Sequence, residues 1–283
     1  MKELIVGLDG SEHSRMALRW AAAVAQAAGV SIRAVQAWSH PRTAPLPGGR
    51  EPIPTDQMDE QTERDIATIA ADTLGPSLAV TADVRRGPAA GAILQAVVPD
   101  SVLVLGSRGR GGFAGLLLGS VSQECVEHAP CPVVVVRTDR ALADDDQIVV
   151  GKDGSAGAQA ALDWAHTLAT ATGADLHAVH AWQPTMSERP PRVGERLKSE
   201  AASAVEGWTR PVSDEIDSQE VEGDPRDVLV TTAQRLDPAL IVVGRRGAGG
   251  LRSMLLGSTA NHLVRHSSTN VAVVPTPRHQ AHS

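Results

Sequence analysis

Two rhythms of apolar residues alternate along this chain. Residues 4–8, 32–38, 78–84, 102–105 and 133–136 are short runs rich in Val, Ile, Leu and Ala, each about the length of a strand. Between them, apolar positions return at helical spacing. In the first such stretch Ala17, Leu18, Ala21, Val24, Ala25 and Ala28 share one face. Ser11 stands where an N-cap would accept a backbone N–H, and Gly29 stands where the helix would stop. A helix with a weaker apolar stripe is predicted over 56–74, a short one over 89–98, and another within 118–128. The Pro- and Gly-rich stretch 40–54 reads as a surface loop. Strands alternating with helices predict a parallel sheet covered on both faces. An unbroken run such as Val133 to Val136 fits a strand buried on both sides.

The whole series then repeats. Ile5-Val6-Gly7-Leu8-Asp9-Gly10-Ser11 returns as Val149-Val150-Gly151-Lys152-Asp153-Gly154-Ser155, 144 residues later. Trp20 matches Trp164, and Ala37-Trp38 matches Ala181-Trp182. Toward the end of each half the offset becomes 138, where Gly106 matches Gly244 and Gly119-Ser120 matches Gly257-Ser258. Unequal loops account for the change. The chain is therefore read as two α/β domains, 1–140 and 146–277, joined at the solvated run Leu142-Ala143-Asp144-Asp145-Asp146. In open sheets of this kind ligands bind at the carboxyl ends of strands. Asp9 and Gly106 both fall at such predicted ends.

Composition narrows the partners. With 283 residues there is room for roughly two domains. Five Trp, one Phe and no Tyr leave the core to aliphatic side chains. A net charge of −7 without a basic stripe argues against nucleic acid, and an acidic surface repels anionic lipid. No apolar run is long enough to span a bilayer, and residue 1 leads straight into a strand-like run, so no signal peptide is expected. A cytoplasmic location is expected. Cys125 and Cys131 are too few for a disulfide framework or a zinc site and are read as core fillers.

The candidate chemistry is a glycine pattern. Gly106-Ser-Arg108-Gly109 is followed after nine residues by Gly119-Ser120; Gly244-Arg-Arg246-Gly247 is followed at the same interval by Gly257-Ser258. Glycines let backbone N–H groups approach an anion, and a helix start adds unpaired N–H groups and a favourable dipole. Gly111, Gly112, Gly249 and Gly250 extend the loops; Ser120 and Ser258 add hydroxyls. Arg108 and Arg246 are either counter-charges or solvated surface. No lysine sits in a Gly-Lys-Ser/Thr context, which excludes a Walker A loop. Gly109-Arg-Gly-Gly-Phe-Ala114 has the spacing of a dinucleotide fingerprint but follows the fourth strand, and the second half has Arg252 at its last place. His128 and His266 match near a helix end, where they complement the dipole.

Taken together, Val6-Gly7-Leu8-Asp9-Gly10-Ser11, the Gly-x2-Gly-x9-Gly-Ser pattern and His128-Ala-Pro-Cys131-Pro-Val resemble the universal stress protein family, in its tandem form. The resemblance covers nearly the whole chain, twice. It implies two Rossmann-like domains, each with five parallel strands ordered 3-2-1-4-5. It also implies one ATP site per domain, with Mg²⁺ or Mn²⁺ carried in by the triphosphate, and a nucleotide-dependent regulator of stress responses rather than an enzyme. A slow ATPase, a nucleotidyl or phosphoryl transferase, and an interaction module without nucleotide are the alternatives. By the same resemblance Asp9 and Asp153 lie beside the nucleotide, preceded by Gly7 and Gly151. The backbone near Ala37 and Ala181 meets the adenine edge. Gly106, Gly109, Gly119 and Ser120 form one phosphate cradle; Gly244, Gly247, Gly257 and Ser258 form the other. Val121 and Thr259 follow the cradles, and Ser122 is expected to compensate for the hydroxyl that Val121 lacks. Family members pair through the last strand of each domain, so residues 133–136 and 271–274 are candidates to meet within this chain. A homodimer of whole chains and a regulatory protein partner are further expectations. One departure stands out: Gly87-Pro88-Ala89 replaces the pattern that the second half keeps as Gly223-Asp224-Pro225.

Overall fold

The structure is a computed structural model that describes residues 1–39, 54–75, 78–98, 100–111, 117–183, 216–249 and 254–276. The first half runs β1 (Glu3–Gly7), α1 (Glu12–Ala28), β2 (Ser31–Trp38), α2 (Thr55–Leu74), β3 (Val80–Arg86), α3 (Ala89–Ala96), β4 (Ser101–Gly106), α4 (Ser120–His128) and β5 (Val133–Val136). The second runs β6 (Gln147–Lys152), α5 (Ala156–Thr172), β7 (Asp175–Trp182), β8 (Asp217–Glu222), α6 (Pro225–Leu236), β9 (Leu240–Gly244), α7 (Ser258–His266) and β10 (Asn270–Val274). Of the stretch 40–54, only residue 54 falls among the described residues.

The ten strands of the described residues form one sheet, ordered β3-β2-β1-β4-β5-β10-β9-β6-β7-β8. Each half has the expected 3-2-1-4-5 order with parallel neighbours. The halves join where β10 pairs antiparallel with β5, Ala272 opposite Val134. Strand directions therefore reverse at the joint, and the carboxyl ends of the two halves lie at opposite ends of the sheet. Asn270, fully buried, secures this joint: its Oδ1 accepts from the Arg137 N–H at 2.8 Å and the Thr138 N–H at 3.1 Å.

Alternation explains the two cores. Leu4, Val6, Val102, Val104, Val134 and Val136 face α1 and α5; Ile5, Leu103, Leu105, Val133 and Val135 face α3, α4, α6 and α7. Because side chains alternate across a strand, an unbroken apolar run is what burial on both faces requires. Ser11 and Ser155 cap α1 and α5 by accepting from Ser14 N and Ala158 N, and left-handed Gly29 and Gly173 end them. Cys125 and Cys131 are buried and unpaired in any disulfide, and burial pushes the Cys125 thiol up to about 12.

One strand differs from expectation. β3 is Val80–Arg86, two residues beyond the predicted 78–84. Its charged end stays in the sheet because Arg33 on β2 reaches Asp83 at 2.7 Å, while also pairing with Glu3 on β1 at 2.7 Å.

Candidate functional site

The first strand of each half ends in a turn that only one backbone conformation closes. Gly10 and Gly154 both take φ 75°, a left-handed geometry that glycine adopts at little cost. Asp9 Oδ1 then accepts from the Ser11 N–H at 2.9 Å, and Asp153 Oδ1 from the Ser155 N–H at 3.0 Å. The other carboxylate oxygen reaches the glycine loop: Asp9 Oδ2 accepts from the Arg110 N–H, and Asp153 Oδ2 from the Ala248 N–H, both at 2.8 Å. Each aspartate thus ties the turn after β1 or β6 to the loop after β4 or β9. Burial works to raise the Asp9 carboxyl, but donors from Ser11, Arg110 and Ser14 outweigh it and hold the group below its ordinary value.

The motif glycines divide into two kinds. A Cβ at Gly106 would lie 2.6 Å from the His13 carbonyl carbon, and one at Gly244 2.6 Å from that of Gly157. These glycines let the helix after the first strand pack onto the end of β4 or β9. At Gly7 and Gly151 a Cβ would meet side-chain methyls instead of backbone, Leu105 at 2.5 Å and Leu229 at 3.0 Å. Gly109 and Gly247 press on the aspartate oxygens, so any side chain there would break the tie. Fold packing accounts for all of these.

Gly119 and Gly257 are different. Their φ of −72° and −67° suits any residue, and a Cβ would come no nearer than 3.4 Å and 3.2 Å to a neighbour. Each donates its N–H to the loop at 2.8 Å, to Ser107 O and Arg245 O respectively. α4 and α7 begin at these glycines without a capping side chain, unlike α1 and α5. No side chain of the N-cap therefore accepts from their first-turn N–H groups.

In the second half these parts enclose a cavity of about 290 Å³. One wall is apolar, from Val179, Leu229, Val243 and Met254. The other is the glycine loop with Asp153, Arg246, Gly247 and Gly249, closed by Gly257, Ser258 and Thr259. Gly151, Ala181 and Gly244 also line it. Every second-half candidate residue among the described ones is thus brought together; Gly250, like Gly112, lies outside them.

The model of the universal stress protein family matches residues 1–137 and again 146–275. The chain belongs to the universal stress protein family. It is 30% identical to a universal stress protein of Mycolicibacterium smegmatis, covering 96% of each chain. It is 31% identical to one of Mycobacterium tuberculosis, covering 98% of this chain and 96% of the other. Among solved structures, a universal stress protein from Archaeoglobus fulgidus superposes with a TM-score of 0.71 at 23% identity, covering 97% of this chain and 98% of that one. That last likeness concerns the fold.

Within this universal stress protein fold the two halves place their remaining candidates differently. The Arg108 guanidinium sits 3.2 Å from His13 Nε2; burial and the Arg108 charge push that imidazole down. The Arg110 guanidinium lies over Gly10, whereas the second half has Ala248 at the matching place. Ala37 pairs with Arg85 near the end of β2. Ser122 corrects an expectation. Its side chain is buried and donates to Gly106 O at 2.7 Å, so its hydroxyl ties α4 to β4 instead of replacing the one Val121 lacks.

Sequence reasoning missed the apolar wall and Lys152. Lys152 is 3% exposed at the end of β6, where the first half has Leu8, and donates to Gln159 Oε1 at 2.8 Å. Burial pushes its ammonium down to about 8, against the opposing charges of Asp163 and Asp153. The only signal was the break in the repeat, a charge where an aliphatic residue is expected. Among the described residues, no helix is long and apolar enough to cross a membrane.

Proposed function

We propose that each half binds ATP, and that occupancy of these sites makes the chain a nucleotide-dependent regulator of stress responses. The observation that carries this reading is the third glycine. The fold demands glycine at Gly106 and Gly109 but not at Gly119, whose open position beside an uncapped helix is suited to close approach of a phosphate. The second-half cavity has the matching polarity, apolar toward Ala181 and Leu229 and lined at Ser258 and Thr259 by the first turn of a helix without a side-chain cap. An adenine fits the first wall and a phosphate chain the second. Mg²⁺ or Mn²⁺ enters with the triphosphate. Regulation is favoured over turnover because both carboxylate oxygens of Asp9 and of Asp153 already accept backbone N–H groups.

The test is acid-quenched nucleotide content and Mg-ATP calorimetry on the wild type, Gly119→Val and Gly257→Val. Two sites in the wild type and one in each variant, with thermal unfolding little changed, are expected. Two sites remaining in both variants would remove the cradle assignment, and none in the wild type would remove ATP. Multiple-turnover release of ADP would shift the reading to a slow ATPase.

A further inference from the structure

Each cradle helix starts in one half's loop and ends against the other half. α4 starts at the first-half cradle and ends at Ala129, whose carbonyl accepts from the Arg245 guanidinium. Arg245 belongs to the second-half glycine loop, and its own carbonyl accepts the Gly257 N–H at 2.8 Å. Conversely, α7 starts at the second-half cradle, and near its end the Val264 carbonyl accepts from the Arg137 guanidinium. Arg137 also donates to Leu117 O at 3.3 Å, two residues before Gly119 in the first-half loop. Between these ends Arg265 on α7 reaches Gln123 on α4 at 2.8 Å.

We infer that Arg137 and Arg245 are positioning residues that couple the two nucleotide sites. This rests on the ATP reading above. A ligand drawing in the loop around Gly257 moves the backbone of Arg245, whose guanidinium holds the carboxyl end of the helix that forms the other cradle. A nine-residue helix is a stiff lever of about 13 Å. A cation at helix-end carbonyls is also favoured by the dipole, which makes each grip a directed one. Arg137 makes the same connection in the other direction. The arginines are not repeat equivalents: Ser107 occupies the first-half counterpart of Arg245, and Pro275 the second-half counterpart of Arg137.

The full-length chain, stripped of nucleotide, is titrated with Mg-ATP. First-site affinity is read with the second site filled in the wild type and blocked in Gly257→Val. The two values are expected to differ about fivefold or more, the range of ordinary allosteric coupling. In Arg245→Ala combined with Arg137→Ala the two values should converge, while Arg245→Lys, which keeps a cation at the Ala129 carbonyl, retains the difference. Should the double variant fail to fold, Arg245→Met alone replaces it, with at least half of the difference expected to disappear. Equal affinities in the wild type, or a difference that survives loss of the arginines, would overturn the coupling while leaving ATP binding intact. No binding at either wild-type site would overturn the ATP reading and the coupling together.

Discussion

The two halves keep the same backbone bonds and change the side chains around them. Aspartate to loop N–H, third glycine to loop carbonyl, and serine cap to first helix all recur within a few tenths of an ångström. Meanwhile Leu8 became Lys152, His13 became Gly157, Arg110 became Ala248, and Val121 became Thr259. The lesson is that the scaffold of the site is a set of main-chain contacts, which tolerate divergence at the rim. Substitutions that strike the main chain should therefore act alike in both halves, and rim substitutions should act differently.

The largest effect is expected from Gly106→Ala and Gly244→Ala. Each forces a methyl into helix backbone and should lower stability by about 3 kcal/mol, measured by urea unfolding. A markedly unequal pair would break the claim that the scaffold is shared. Asp9→Ala and Asp153→Ala come next, at about 1–2 kcal/mol each, since two backbone donors lose their partner in a partly solvated turn. For Asp9 the folded group is held below its ordinary value, so its contribution is present above about pH 4 and lost as pH falls through that depressed value. Unfolding of Asp9→Ala and wild type should thus converge in acid.

Lys152→Leu, which restores the first-half residue, sharpens the contrast at the rim. Removing a buried charge should raise ligand-free stability by about 1–2 kcal/mol at pH 7. Above pH of about 8 the folded wild type sheds that proton while the unfolded chain keeps it to about 10.4, so wild-type stability rises and the advantage shrinks. Thermal melts at pH 7 and pH 9.5 would show it; an advantage that grows with pH contradicts the sign. The smallest effect is Val121→Thr, which gives the first cradle the hydroxyl of Thr259. Its nucleotide affinity should tighten by about threefold, the scale of one net hydrogen bond.

Most of the architecture was legible because burial on both faces forces unbroken apolar strands, and the repeat displayed each of them twice. β3 was ended two residues early because Arg85 and Arg86 look like strand terminators until Asp83 and Asp59 are known to pair with them. The spacing of the glycines was legible, but their division of labour was not. Whether Gly106 serves a ligand or the first turn of α1 depends on which backbone lies opposite, and sequence is silent on that. Ser122 misled for a similar reason: its hydroxyl points inward to Gly106 O, and its neighbour Val121 gave no hint of the direction. Arg137 and Arg245 could not be read at all, since their partners become neighbours only once β5 and β10 pair.

That pairing has a consequence in mass action. Two separate domains meeting through their last strands would part on dilution, with an equilibrium set by how many copies a cell holds. Here the segment between β5 and β6 keeps the two partners of the joint in one chain, at a local concentration that does not depend on abundance. Its closure is a matter of folding and not of supply, and a response built on it would begin from the same assembled state in a cell with few molecules as in a cell with many.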